Sequence, residues 1–338
     1  MGAGLRITAN QVTVARIVLL PFPSALVLWN QVWSMWLALG IFIVLGATDF
    51  VDGMMARRDG PTRLGALLDP IADKMFIVAI VVPCTGTRFC PWWFLAALLA
   101  RELLVTALRS GSALRRQIIH TSRLAKMKTI IQMGGLGTVF LTVKTPTWFV
   151  IPFGLVFAAG FFVAWAVRRH RGKIPHYWMA PTGAAFLIFA VACALFPPAT
   201  AATLQFAVIV LVTWLSGLDY LVGAWRTLAA SGISASDGVR TLWALLLGIA
   251  VPLVVAVFPG AAVPICVFLS AELALGGVDN VIVEERHTAA NVPFLVSSLT
   301  AAVFVSLVIA LRAPPVFWMA CVAASISVVI EPEALAPA

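Results

Sequence analysis

The chain has 338 residues, 62% of them hydrophobic and only 11% charged, with a formal charge of +9 and a mean hydropathy of +1.01. This composition excludes a soluble domain, because runs near 20 apolar residues recur along the sequence and each is long enough to cross a bilayer. The basic balance does not argue for nucleic acid, since Lys and Arg gather in short loops as the positive-inside rule predicts. In chain order the predicted spans are 12–33, 36–57, 66–84, 91–113, 127–144, 147–167, 178–196, 202–228, 238–258, 260–279, 291–311 and 315–331. The first opens on polar residues without a cleavage site and is read as a retained membrane helix, not a signal peptide. The runs lack strand-like alternation, and backbone in lipid must satisfy its own hydrogen bonds. The fold class is therefore all-α, a polytopic transmembrane helical bundle, and a barrel is excluded.

The most basic loops are 57–63, 109–128, 168–173 and the surroundings of Arg226 and Arg240. Counting spans alternately puts all of them on one side, which the positive-inside rule makes the cytoplasm. Trp29, Trp33, Trp36, Trp92 and Trp93 cluster at span ends and read as interfacial anchors. Cys193, Cys266 and Cys321 lie in apolar runs as packing residues. Cys84 and Cys90 share one short loop, where a disulfide is one reading. The small, polar stretch Ser231 to Asp237 is the best domain boundary.

Against this apolar background, Asp49, Asp52, Asp69 and Asp73 stand close together in sequence. On helices, the i, i+3 pair Asp49 and Asp52 shares one face, and the i, i+4 pair Asp69 and Asp73 shares another. Two such pairs facing each other repel, at roughly 4 kcal/mol per contact near 4 Å for an effective dielectric of about 20. A cluster of that kind requires cations, and oxygen-only ligands favour hard divalent ions over zinc.

The pattern Asp49-x2-Asp52-Gly53-x2-Ala56-Arg57, then Gly65-x3-Asp69-x3-Asp73, resembles the signature of the CDP-alcohol phosphatidyltransferases. Between Arg57 and Gly65 stand seven residues, Arg58 to Leu64, one fewer than in the family pattern. The shortening falls around Asp59-Gly60-Pro61, a loop position where length changes are cheap. The resemblance implies a multi-pass enzyme of the bacterial inner membrane with its site at the cytoplasmic face, moving a phosphatidyl group from CDP-diacylglycerol to an alcohol. It implies Mg²⁺ or Mn²⁺ on Asp49, Asp52, Asp69 and Asp73, with Asp73 as the catalytic base. It assigns CDP-diacylglycerol binding to Gly53, Ala56, Arg57 and Gly65, and to Asn10, Thr13 and Arg16, which match the family's Asn-x2-Thr-x2-Arg. Membrane lipid and a second copy of the chain, as a homodimer, are the partners expected; nucleic acid is not.

The resemblance also implies a core of six transmembrane helices. Spans one to five supply five of them, and 202–228 with Ser216-Gly217-Leu218-Asp219-Tyr220 resembles the sixth. Residues 147–196 then form an inserted helical hairpin within a domain 1–230, and 238–331 holds about four further spans of unknown role. For the acceptor, Arg101-Glu102 inside an apolar span, Arg109, and Lys126-x-Lys128-Thr129-x2-Gln132 resemble the phosphatidylglycerophosphate synthase branch. That branch uses sn-glycerol 3-phosphate, so Arg101, Arg109, Lys126 and Lys128 are the expected acceptor-phosphate residues, cations suited to a dianion. Lys128 speaks against the cardiolipin synthase branch; a phosphatidylinositol-phosphate synthase type is a further alternative. Glu272, Asp279, Asn280, Glu284, Glu285, Arg286 and His287 show no metal or triad spacing and read as a solvated loop. A transporter or scaffold is the rival of another class. It calls for sites near the bilayer midplane, whereas these carboxylates stand at span ends.

Overall fold

The structure, a computed structural model, describes residues 8–60, 62–114, 123–176, 178–231, 235–270 and 273, and every regular element among them is helical. The polytopic helical class is thereby met. Among the described residues, four helices or helix pairs are long and apolar enough to cross a membrane: Ala9–Trp29, Val32–Ala56, Thr147–His170 and Pro198–Leu215. The chain divides into two compact units, Met1–His120 with Tyr220–Ala338, and Thr121–Asp219.

The first unit opens with α1 (Ala9–Leu19) and α2 (Pro21–Trp29). A reciprocal cap starts α1: Gln11 N–H donates to Thr8 Oγ1 and Thr8 N–H donates to Gln11 Oε1. The predicted span 12–33 is thus two helices, because Pro21 and Pro23 lack the amides that would continue the ladder. Asn30 ends α2 in the left-handed conformation. Helix α3 (Val32–Asp59) follows, started by Ser34 Oγ accepting from the Gln31 amide. Its 28 residues make about 42 Å of helix, so about 20 residues from Val32 already cross the hydrocarbon and Asp52 reaches the far headgroup level. Gly60 closes α3 with φ 92° and ψ 148°, a region essentially restricted to glycine.

Thr62 then caps α4 (Arg63–Gly86). Helix α5 (Trp92–Leu114) comes next, and later in the chain α10 (Leu218–Ser231) and α11 (Ala235–Val257). Helices α1 and α2 each pack against both α3 and α4. Ser24 Oγ lies 2.9 Å from the Leu20 carbonyl and 2.7 Å from that of Ala79, tying α2 to α4. Helices α5 and α11 make the most extensive pairing of this unit. Gly248 permits it: a Cβ there would lie 2.5 Å from Ala100 Cα. Such close backbone approach at a small residue is how helices associate where lipid removes the hydrophobic drive. Cys84 and Cys90 are buried free thiols, so the disulfide reading is set aside.

The second unit holds α6 (Arg123–Lys144), α7 (Thr147–His170), α8 (Met179–Leu195) and α9 (Pro198–Leu215). Phe153 and Phe157 of α7 pack on Phe186 of α8, with centroids 6.4 and 5.2 Å away. Helices α6 and α9 interlock at Gly135, where a Cβ would meet Ile209 at 2.7 Å. Buried polar groups bond across them: Gln132 Nε2 donates to Thr213 Oγ1 at 3.1 Å and Gln205 Nε2 to Thr142 Oγ1 at 2.9 Å.

The predicted span 202–228 is also two helices, α9 and α10, which break at Ser216-Gly217. There Ser216 Oγ donates to the Thr213 carbonyl and Gly217 N–H to that of Trp214, tightening the last turn until the helix stops. Residues 259–270 continue the chain as short apolar helix. The predicted spans 291–311 and 315–331, the end of 260–279 and the polar group Glu272 to His287 lie outside the described residues.

Candidate active site

The motif occupies the C-terminal half of α3 and the N-terminal half of α4, joined by the short loop Gly60 to Thr62. Helix α1 packs against both limbs and places three of its polar side chains there. Thr13 Oγ1 donates to Asp52 Oδ2 at 3.0 Å. Arg16 Nη2 stands 3.7 Å from the same oxygen, with the Arg16 side chain 1% exposed and that of Asp52 7%. A buried ion pair needs such supporting hydrogen bonds to offset desolvation. One turn nearer the start of α1, Asn10 Oδ1 accepts from Thr62 Oγ1 at 3.1 Å. Thr62 Oγ1 in turn accepts the Gly65 amide at 3.0 Å and so caps α4. A Cβ on Gly65 would lie 3.0 Å from both Asn10 Oδ1 and Thr62 Oγ1, so glycine lets α1 and α4 meet here.

The structure thus joins Asn10 to Thr62 beside Gly65, and Thr13 and Arg16 to Asp52. Asp73 is half-buried on α4, Asp69 is exposed one turn earlier, and Gly53 and Ala56 are partly exposed on α3. Asp49 and Arg57 belong to the backbone of α3, and their side chains lie outside the described residues. Among the described side chains the motif offers carboxylate oxygens, with a hydroxyl beside Asp52, and oxygen donors suit a hard divalent cation. Among the described residues no three acidic, His or Cys side chains are grouped closely enough to hold an ion.

Arg101 and Glu102 are both buried within α5, where Arg101 Nη1 donates to Glu102 Oε1 at 3.1 Å. Ionisable groups at membrane depth persist when paired in this way. Arg109 is a backbone position of α5, and Lys126 and Lys128 are backbone positions of α6; the side chains of all three lie outside the described residues. Two residues that sequence reasoning passed over connect these parts. Thr62 carried a signal, a threonine directly before a helix. Thr106 carried none: its Oγ1 accepts from Lys74 Nζ at 2.7 Å and donates to the Glu102 carbonyl at 2.7 Å. This ties α4, one residue past Asp73, to the turn of α5 that bears Arg101.

Comparison with known proteins gives this arrangement a family. A CDP-alcohol phosphatidyltransferase family model matches residues 6–160. A CDP-diacylglycerol–glycerol-3-phosphate 3-phosphatidyltransferase of Cereibacter sphaeroides is 36% identical over 137 residues, 39% of this chain and 62% of that protein. The match therefore takes in less than two thirds of that relative's length. Proteins of the same name are 37% identical over 130 residues in Yersinia pestis (strain Pestoides F), covering 37% of this chain and 71% of that one. In Shigella flexneri serotype 5b (strain 8401) the identity is 33% over 165 residues, 47% of this chain and 89% of that one. No solved structure matches the chain. With the motif divided between α3 and α4, α1 bonded to both limbs, and relatives matched over most of their length, the chain belongs to the CDP-alcohol phosphatidyltransferase family.

Proposed function

We propose that this membrane protein transfers the phosphatidyl group of CDP-diacylglycerol to sn-glycerol 3-phosphate, giving phosphatidylglycerophosphate and CMP. The observation that carries the reading is the bonding of Thr13 and Arg16 to Asp52 within the family motif. The names of the relatives supply the acceptor, and the buried pair Arg101-Glu102 agrees with it. In the reaction the glycerol hydroxyl oxygen forms a bond to the β-phosphorus as the bond from that phosphorus to the bridging oxygen breaks. CMP leaves with the electron pair, and Asp73 takes the hydroxyl proton. Holding the two reactants in line supplies most of the rate, since a carboxylate is a weak base for an alcohol.

Asp49, Asp52, Asp69 and Asp73 hold Mg²⁺ or Mn²⁺ in this reading. The ion supplies charge stabilisation at the diphosphate and the departing CMP. Arg16 holds Asp52 in place, Gly53, Ala56 and Gly65 leave room for the nucleotide, and Arg57 pairs with its diphosphate. Arg101, Arg109, Lys126 and Lys128 receive the acceptor phosphate. Residues 1–230 form the transferase domain with the hairpin 147–196 inserted, and 238–331 an appended helical region. The site faces the cytoplasm from the inner membrane, where a soluble phosphate ester and a lipid-bound nucleotide can meet.

The test is the purified chain with CDP-diacylglycerol, Mg²⁺ or Mn²⁺ and a panel of alcohols. CMP release with glycerol 3-phosphate alone is expected. Activity with phosphatidylglycerol or an inositol phosphate instead moves the acceptor, and inactivity with all of them, beside a working control enzyme, rejects the transferase.

A further inference from the structure

The α7–α8 turn lies outside the machinery proposed above and has its own chemistry. Helix α7 has 24 residues, about 36 Å, so with about 30 Å of hydrocarbon to cross its last turn emerges among headgroups. That turn carries Arg168, Arg169 and His170, and the chain continues as Arg171, Gly172 and Lys173. Arg169, Arg171 and Lys173 are exposed. The guanidinium of Arg169 lies 5.4 Å from the ring centre of Trp165 one turn back. This cation–π contact steadies the Arg169 side chain at the helix end, and a guanidinium is suited to bidentate pairing with phosphate. Trp178 stacks on His176 at 5.8 Å and packs edge-on against Phe161 at 6.0 Å, an aromatic collar of the kind found at membrane interfaces. Gly172, at φ 67°, turns the chain, and directly after Lys173 stands Ile174, 90% exposed. An exposed isoleucine beside four cations is costly in water and suited to the boundary between headgroups and acyl chains.

The unit Thr121–Asp219 holds a single acidic residue, Asp219 at its end, against the four cations of this turn. One carboxylate does not balance four cations, so the excess positive charge is open to anions from outside the unit. We infer that the α7–α8 turn is a docking element for anionic phospholipid headgroups, with Arg168, Arg169, Arg171 and Lys173 on the phosphates and Ile174 inserted below them. It gathers acidic lipid around the protein whichever alcohol the enzyme uses.

The experiment isolates the full chain in polymer-bounded lipid discs cut from vesicles of phosphatidylcholine with one fifth phosphatidylglycerol, and measures the lipid ratio in the discs. The wild-type discs should be enriched in phosphatidylglycerol by at least about two-fold over the bulk. Changing all four cations to Gln should bring the ratio most of the way to bulk, while changing the three Arg to Lys should retain it. Ile174→Ser should lower it in part. Inorganic phosphate at 10 mM, tested as the competing source of the same chemistry, should leave the enrichment intact. An unchanged ratio in the Gln variant, its thermal transition matching wild type, overturns the proposal. So does full displacement by inorganic phosphate, which would make this a free-anion site.

Discussion

Arg16 of α1 and Asp52 of α3 form a buried ion pair, 3.7 Å apart, with the Thr13 hydroxyl on the same carboxylate oxygen at 3.0 Å. The arrangement makes the first helix part of the motif although it lies more than thirty residues away in sequence. Arg16→Met leaves the Asp52 carboxylate buried without its cation, which costs about 3–5 kcal/mol when such a pair is broken. A fall in the thermal transition and at least about 100-fold loss of CMP release are expected. Arg16→Lys, which keeps the charge and loses the fork, should recover stability more than activity. Equal loss in both would mean that the guanidinium itself holds the fold.

Asp73→Asn should insert and unfold like the wild type and yet release no CMP, because the amide cannot accept the hydroxyl proton. Membrane insertion by fractionation and turnover by CMP release separate the two effects. A near-normal rate would remove Asp73 from the base role.

Chelation should stop turnover, and Mg²⁺ or Mn²⁺ should restore it. The donors on α3 and α4 are carboxylates, so Zn²⁺ should restore less than either. Residual activity in excess chelator, equal to the untreated rate, would reject the metal assignment.

Gly65→Ala places a methyl 3.0 Å from Asn10 Oδ1 and Thr62 Oγ1. Either the cap of α4 or the bond from α1 must give. Thr62→Ala removes the cap alone, worth about 1 kcal/mol. The expected result is a modest drop in thermal stability for Thr62→Ala, and a larger rise in KM for CDP-diacylglycerol for Gly65→Ala. The reverse order would show that the cap, not the space at Gly65, governs the nucleotide side.

Gly248→Val should force α11 away from α5, since even a Cβ would lie 2.5 Å from Ala100 Cα. Overpacking of this kind costs about 1–3 kcal/mol. Because Ala100 adjoins Arg101, KM for glycerol 3-phosphate should rise more than KM for CDP-diacylglycerol. Equal rises would reduce α11 to a general support.

The sequence made the helical class plain because lipid permits few alternatives for runs of this length. It also marked Asp52, Gly65 and Asp73 as parts of one motif, since their spacing is local and is read without tertiary information. It could not show that Thr13 and Arg16 turn to Asp52, or that Asn10 reaches Thr62, because those contacts depend on how α1 lies across two later helices. Hydropathy merged α1 with α2 and α9 with α10, because Pro21 and Ser216-Gly217 alter hydrogen bonding while hardly lowering apolarity. The packing of α11 on α5 was invisible for the same reason as most helix pairings in lipid. A single glycine among leucines marks it, and no charge or motif does.

The hydroxyl of Thr106 joins α4 next to Asp73 with the turn of α5 that bears Arg101. It receives Lys74 from α4 and gives its proton to the backbone of α5 at Glu102. A rotation of α5 about its axis is therefore transmitted to the residue next to Asp73. On the function proposed above, the acceptor side at Arg101 and the base Asp73 are thus held to one another through a single hydroxyl, so a displacement at either is felt at the other.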